Sequence, residues 1–258
     1  VDFGIDGQYA LVTASSRGIG HACASALAAE GARVLLCARG RDDLERALAG
    51  LGGTAAGHRA LCLDLTADDG PARVIAWLAD ENIVPDIIVH NLGSTLGVRE
   101  PLPSADEWRS IFRVNFEVAA ELNATYVPAM VRRGSGRVCT ISSLAAFEDH
   151  GSLPYGVAKA AVTAYTRGLG RAYAKSGVVI SAVVPGVVLT EGGHWDIRQR
   201  TNPAYVATYI QERLPRGILG TPEEVAAAVT FLCSRHAAPF VGSIVPLDGG
   251  QARGFFGQ

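Results

Sequence analysis

Cysteine is sparse and charge is low in this chain. Its five cysteines (Cys23, Cys37, Cys62, Cys139 and Cys233) are odd in number and scattered, with no Cys-x-x-Cys. They read as free thiols, three of them inside apolar runs, which fits a reducing compartment rather than a disulfide framework. The six histidines never adopt a metal-ligand spacing such as His-Glu-x-x-His, so no metal site is implied. No apolar run reaches the ~18 residues of a membrane span, and the first residues lack a signal-peptide pattern. The expectation is a cytoplasmic protein with no membrane partner. Charged residues are only 19% and the net charge is −2. No basic cluster is long enough to grip a phosphate backbone, which argues against nucleic acid as a partner. What is present is apolar: 48% of 258 residues, enough for the core of one large α/β domain or two small ones.

Strand-like and helix-like stretches alternate, as a doubly wound parallel sheet requires. The run Tyr9 to Ala14 reads as a strand, leads into Ser15-Ser16-Arg17-Gly18-Ile19-Gly20, and then into an alanine-rich helix to Glu30. Strand, glycine turn and helix N-terminus together suit a dinucleotide pyrophosphate; alone, Gly-x-Gly also serves a plain strand-to-helix turn. The second strand, Arg33 to Arg39, ends where an NAD-binding protein usually carries an acid for the ribose 2′-OH. Here Ala38 and Arg39 occupy that end, and Arg17 sits in the turn. Two arginines without a carboxylate favour a 2′-phosphate, hence NADP(H) over NAD(H), unless both are merely solvated. A third strand closes on Asp64-Leu65, where Asp64 either accepts from an adenine amino group or terminates the strand. A fourth, Asp86 to His90, runs into Asn91-Leu92-Gly93, at the sheet edge where such folds bind ligands.

A long helix is expected from Ser104 to Arg133, opened by a Ser104/Glu107 capping box. Within it, Asn115 among apolar neighbours is either a satisfied structural amide or part of a proton path. The strand Arg137 to Ile141 then leads to Ser142 and Ser143, and a helix from Tyr155 to Lys175 follows. Tyr155 and Lys159 fall four apart, on one helix face. A solvated pair is the ordinary reading. In a cleft, however, the ammonium would favour the phenolate and bring the phenol toward working pH. After the strand Val178 to Val184 and Pro185-Gly186, the pattern loosens from Glu191 to Gly220. That length suggests a lid over a binding region. Thr221-Pro222-Glu223-Glu224 starts another helix, and Ser243 to Leu247 is the last strand.

With Thr13 to Gly20, Asn91 to Gly93, Asn115, Ser143, Tyr155, Lys159 and Pro185-Gly186 in this order, the chain resembles a short-chain dehydrogenase/reductase. The likeness is to the single-domain branch that includes 3-oxoacyl-carrier-protein reductases, and it covers nearly the whole chain. It implies a Rossmann-type α/β fold of about seven parallel strands, one domain over 1–258, with 191–220 as a substrate-binding lid. It also implies roles: Tyr155 transfers the proton, Ser143 (or Ser142) orients the substrate oxygen, Lys159 supports Tyr155 and the nicotinamide ribose, and Asn115 anchors a relay water. Thr13, Ser15, Ser16, Arg17, Gly18, Ile19, Gly20 and Arg39 would hold the phosphates. Asp64 and Leu65 would meet the adenine, Asn91 and Gly93 the middle of the cofactor, and Pro185, Gly186, Val188 and Thr190 the nicotinamide. Ala14, His90 and Leu92 depart from the family's usual residues.

The implied activity is hydride transfer between NADP(H) and a carbonyl or secondary alcohol, in a homotetramer or homodimer. The alternatives are an NAD-linked secondary-alcohol dehydrogenase and a catalytically silent cofactor-binding regulator. Phe147, Glu148, Asp149 and His150, with His194, Trp195, Tyr205 and Tyr209, are the expected pocket walls, although the three polar loop residues among them suit solvent equally. Aromatics with a few polar groups suit a ring-containing or medium-sized polar substrate.

Overall fold

The computed structural model describes residues 1–149 and 151–254. Seven strands form one all-parallel sheet in the order β3-β2-β1-β4-β5-β6-β7. They are β1 (Tyr9–Thr13), β2 (Arg33–Ala38), β3 (Arg59–Cys62), β4 (Ile87–His90), β5 (Gly136–Ile141), β6 (Val178–Pro185) and β7 (Ile244–Leu247). The chain winds outward from β1 through β2 to β3, then returns to the other side of β1 and continues to β7. That reversal opens a crevice beyond the carboxyl ends of β1 and β4. All eight residues of β6 are buried, as expected of a strand covered on both faces.

Alternate strand residues serve opposite faces. Val12, Leu36 and Val89 pack with Cys23, Leu27 and Val229 on one side. Leu11, Leu35 and Ile88 pack with Val74, Leu122 and Met130 on the other. The helices among the described residues are α1 (Gly18–Ala29), α2 (Arg41–Gly50), α3 (Gly70–Asp80), α4 (Ala105–Phe112), α5 (Val118–Arg133), α6 (Leu153–Tyr173), α7 (His194–Thr201), α8 (Pro203–Arg213) and α9 (Pro222–Leu232). Of these, α1, α3, α5 and α9 supply the partners just named. Capping boxes start α4 at Ser104/Glu107 and α9 at Thr221/Glu224, each satisfying helix-end N–H groups.

Two expectations change. The long helix from Ser104 to Arg133 is interrupted: residues Arg113–Glu117 form a π turn between α4 and α5. Its cause is Asn115, whose Nδ2 donates to the Ile111 carbonyl at 2.9 Å and so inserts into the backbone ladder. The loosened segment 191–220 contains α7 and α8, and its neck is tied. Val188 bridges Gly220, with Gly220 N donating to Val187 O and Leu189 N to Gly220 O, each at 2.9 Å. Among the described residues no helix is long and apolar enough to cross a membrane, and no group of three His, Cys, Asp or Glu is placed to hold a metal.

Candidate active site

The turn after β1 is built by buried hydroxyls and one strained residue. Ala14 has φ 53°, in the left-handed region disfavoured for a residue with a Cβ. Thr13 Oγ1 accepts from the N–H groups of Asn91 and Leu92 at 2.9 and 3.0 Å, while Asn91 Nδ2 donates to the carbonyls of Thr13 and Ala14. Ser15 Oγ accepts from Cys37 N at 3.0 Å. A Cβ on Gly20 would collide with Ala14 O and Asn91 Nδ2. Thr13, Ser15 and Gly20 therefore stand behind the cleft wall and hold its shape. Ser16, Arg17, Gly18, Ile19, Asn91 and Gly93 line it.

Arg17 is the N-cap of α1, and no side chain caps that helix. Its first-turn N–H groups are thus left for an anionic ligand, aided by the helix dipole. Further along, Ala38, Arg39, Asp64 and Leu65 line the same cleft. Arg39 pairs with Asp64 at 3.7 Å, both well exposed. Asp64 Oδ1 accepts from the hydroxyl and N–H of Thr66 at 2.6 and 2.8 Å. Those bonds, the hydroxyl first, hold its carboxyl below the usual range. Asp64 is at once a turn-former and a wall of the adenosine end.

The two serines after β5 separate cleanly. Ser142 is buried, and its hydroxyl is 2.6 Å from that of Thr163. Ser143 caps a short 3-10 turn, accepting from Ala145 N at 3.2 Å, and lines the cleft together with Tyr155. Lys159 is buried, 3% exposed, with Nζ donating to Ile141 O at 2.8 Å. Asn115 is equally enclosed: Nδ2 donates to Ser94 O and Ile111 O, and Oδ1 accepts from Ser94 N. A Cβ on Gly93 would come within 2.7 Å of Lys159 Nζ and 3.0 Å of Asn115 Oδ1, so only glycine allows this closeness. The ends of β4 and β5, the π turn and α6 thereby converge on one point.

The electrostatics differ from the expectation drawn from spacing. Burial pushes the Tyr155 phenol up, opposed by the Ser143 hydrogen bond. Lys159 does not bring it down here. Its ammonium lies over the ring, 5.6 Å from the centroid, and burial lowers Lys159 itself to about 8.

At the other end of the cleft, Pro185, Gly186, Val188 and Thr190 line the wall beside His194, Trp195, Tyr205 and Tyr209. Trp195 stacks on Tyr205, with planes 11° apart, and lies 4.5 Å from the Tyr209 ring centroid. Phe147, Glu148 and Asp149 do not join this wall. Glu148 Oε1 accepts from the backbone of Arg253 and Gly254, and Asp149 borders a separate hollow of about 270 Å³. That hollow shares Tyr205 and Tyr209 with the cleft, so Asp149 meets the same aromatic pair without lining the cleft itself. His150 lies outside the described residues.

Sequence reasoning missed Gln251. Its Oε1 accepts from Val187 N at 3.2 Å, and its Nε2 donates to Tyr209 OH at 2.9 Å, joining the nicotinamide-side loop to α8. Its one signal was its place just after Asp248-Gly249-Gly250. Arg99 and Arg198, also missed, line the cleft near His194, and isolated arginines carry no motif.

The cleft has a volume of about 1550 Å³, larger than the roughly 300–1,000 Å³ of a site for one drug-sized molecule. An uncapped helix N-terminus, two arginines near the β2 end and a glycine-floored centre fit a dinucleotide phosphate running along it. A sequence model of the family described as Enoyl-(Acyl carrier protein) reductase matches residues 13–252. The cis-4-hydroxycyclohexanecarboxylate dehydrogenase of Sinomonas cyclohexanicum is 36% identical over 250 residues, covering 94% of this chain and 96% of that protein. The 3-oxoacyl-(acyl-carrier-protein) reductase of Vibrio cholerae is 32% identical over 249 residues, covering 96% and 98%. The crystal structure of L-sorbose reductase from Gluconobacter frateurii, complexed with NADPH and L-sorbose, matches at TM-score 0.91 and 29% identity, covering 99% of this chain and all of that one. A chain so alike from its first strand to its last belongs to the short-chain dehydrogenase/reductase family, as an enzyme acting on CH–OH/C=O groups.

Proposed function

We propose that this enzyme is an NADP(H)-dependent ketoreductase in which Tyr155 is the proton donor and acceptor. The observation that carries the reading is Ser143 and Tyr155 together on the cleft wall, with the buried Lys159 ammonium over the Tyr155 ring. A bound nicotinamide would supply or accept the hydride. Ser143 and Tyr155 hold the substrate oxygen between two hydroxyl donors, and Tyr155 passes its proton to that oxygen as charge develops there. Lys159 compensates the phenolate left behind. Both amide hydrogens of Asn115 are committed to backbone carbonyls, leaving a lone pair on Oδ1 for a relay water. Arg17 and Arg39 are the groups that would meet a 2′-phosphate, and Ala38 at the end of β2 leaves no acid for an NAD ribose.

Segment 191–220 serves as the lid: its neck is tied, so α7 and α8 move as one flap over the substrate. NADPH in the L-sorbose reductase complex supports the cofactor choice. The relatives' names support a carbonyl/secondary-alcohol substrate. Assembly as a homotetramer and a cytoplasmic setting belong to the same reading, and sedimentation equilibrium tests the first.

Tyr155→Phe removes the proton while keeping the ring under Lys159. Reduction of a ketone panel, followed by NADPH consumption, should fall by about 10²–10⁴-fold, with NADPH affinity within a few-fold of wild type. Turnover persisting in the purified variant would refute the assignment.

A further inference from the structure

Six arginines line the cleft: Arg17, Arg39, Arg99, Arg109, Arg113 and Arg198. Three are neutralised in place. Arg39 pairs with Asp64, Arg109 with Asp106, and Arg113 with Glu117 and Glu121. Arg17 belongs to the phosphate turn. Arg99 and Arg198 remain, both exposed and neither with a carboxylate partner among the described residues. Arg198 is in α7 of segment 191–220, and Arg99 is in the loop between β4 and α4. The Arg198 guanidinium lies 5.8 Å from the centre of the Tyr205 ring, within the cluster where His194 packs edge-on to Trp195 and Trp195 meets Tyr209. The loop carrying Arg99 is held at the start of α6, where Ser152 Oγ donates to Val98 O at 2.6 Å, and Arg99 lines the same cleft as Arg198. After burial, the charges of both also push the His194 imidazole down. The lid's own cleft-lining acid, Glu191, is exposed and makes no ion pair with either arginine among the described residues.

A neutral substrate gives two uncompensated cations beside an aromatic wall nothing to bind. A fork of guanidinium donors matches the oxygens of carboxylate and phosphate groups, and the indole and phenol faces suit a ring. We propose that Arg99 and Arg198 form an oxyanion subsite over the Trp195–Tyr209 wall, so that the substrate is a small ring-bearing ketone, or its alcohol, carrying a carboxylate or phosphate group. This rests on the hydride-transfer reading of the same cleft and names its substrate class. The carboxylate in the name of the Sinomonas relative's substrate has the same character.

The test is calorimetric binding to the NADP⁺-loaded protein, in which a ketone binds without turnover and the cofactor phosphate sites are already filled. The probes are 4-oxocyclohexanecarboxylate, its methyl ester and 4-oxocyclohexyl phosphate. The acid or the phosphate should bind about tenfold or more tightly than the ester, and which of them binds better identifies the oxyanion. Arg99→Gln with Arg198→Gln should erase that preference while leaving ester affinity unchanged. Equal binding of acid, phosphate and ester overturns the subsite, as does a preference surviving in the double variant. Absence of binding by both anions overturns it too. None of these outcomes touches the hydride-transfer reading, which NADPH-dependent reduction of the neutral ester reports separately.

Discussion

Lys159 lies 3% exposed, its ammonium making one hydrogen bond among the described residues, to Ile141 O, and burial lowers it from 10.5 to about 8. The folded protein then binds that proton less tightly than the unfolded chain does. Stability lost by the group is therefore largest at low pH, and it is recovered as pH rises from about 8 toward 10.5. At about 1.36 kcal/mol per pKa unit, the charged form costs about 3 kcal/mol at neutral pH, and about 2 kcal/mol of this returns by about pH 9.5. The buried thiols work in the opposite direction. Cys37 and Cys139 are pushed up to about 12, so their contribution falls as pH passes the unfolded thiol range. A raw stability curve mixes the two.

Lys159→Met isolates the lysine, because the thiol contributions are common to both proteins. At pH 7 the variant sheds the desolvation penalty but leaves Ile141 O without its donor, which costs about 1–3 kcal/mol. The net change there is therefore small, and the slope is the informative quantity. Urea unfolding of the cofactor-free proteins from about pH 7 to 9.5 should show wild type gaining about 2 kcal/mol on the variant. Parallel curves would mean that Lys159 keeps its ordinary affinity for the proton, and the account of a desolvated ammonium would fail.

Ala14→Gly should raise the urea midpoint by the equivalent of about 0.5–1 kcal/mol: relief of a Cβ held at φ 53° outweighs the added freedom of the unfolded chain. Arg39→Ala should weaken NADP binding about tenfold or more and leave NAD binding unchanged, read by fluorescence titration of both cofactors. Alanine is the cleaner choice than aspartate, since a carboxylate there would face Asp64 across the present 3.7 Å pair.

What was legible in the sequence was whatever the backbone period or a local spacing carries. Val178–Pro185 is apolar throughout and forms a strand buried on both faces, and Ser104/Glu107 announced its capping box three residues ahead. Tyr155 and Lys159 share a helix face because four residues make about one turn. The π turn was invisible because its cause, the Asn115 amide reaching Ile111 O, lies in a side-chain choice within an ordinary helical pattern. Gln251 was hidden because its partners, Val187 and Tyr209, are 64 and 42 residues away. The pKa direction of Tyr155 was misjudged for a related reason. Spacing places two groups on one helix face, but the phenol's shift is set first by burial, which depends on the segments packed around it from elsewhere in the chain.

In the proposed mechanism Tyr155 must keep its proton until the substrate oxygen needs it. A phenol made acidic in the free protein would lose its proton to solvent before any substrate arrived, and the donor would be spent. Burial keeps Tyr155 protonated, while Lys159, lowered only to about 8, remains mostly cationic at neutral pH. The cation's attraction is realised when negative charge forms on the phenol, which is the moment the proton leaves. Gly93 permits this arrangement by admitting Lys159 and Asn115 to a space where any Cβ would stand 2.7 Å from the ammonium. A side chain there would press on Lys159 Nζ and Asn115 Oδ1, so one of them would have to shift. The glycine floor and the proton donor are therefore one device, with the selection for the transition state residing in charge that is present early and used late.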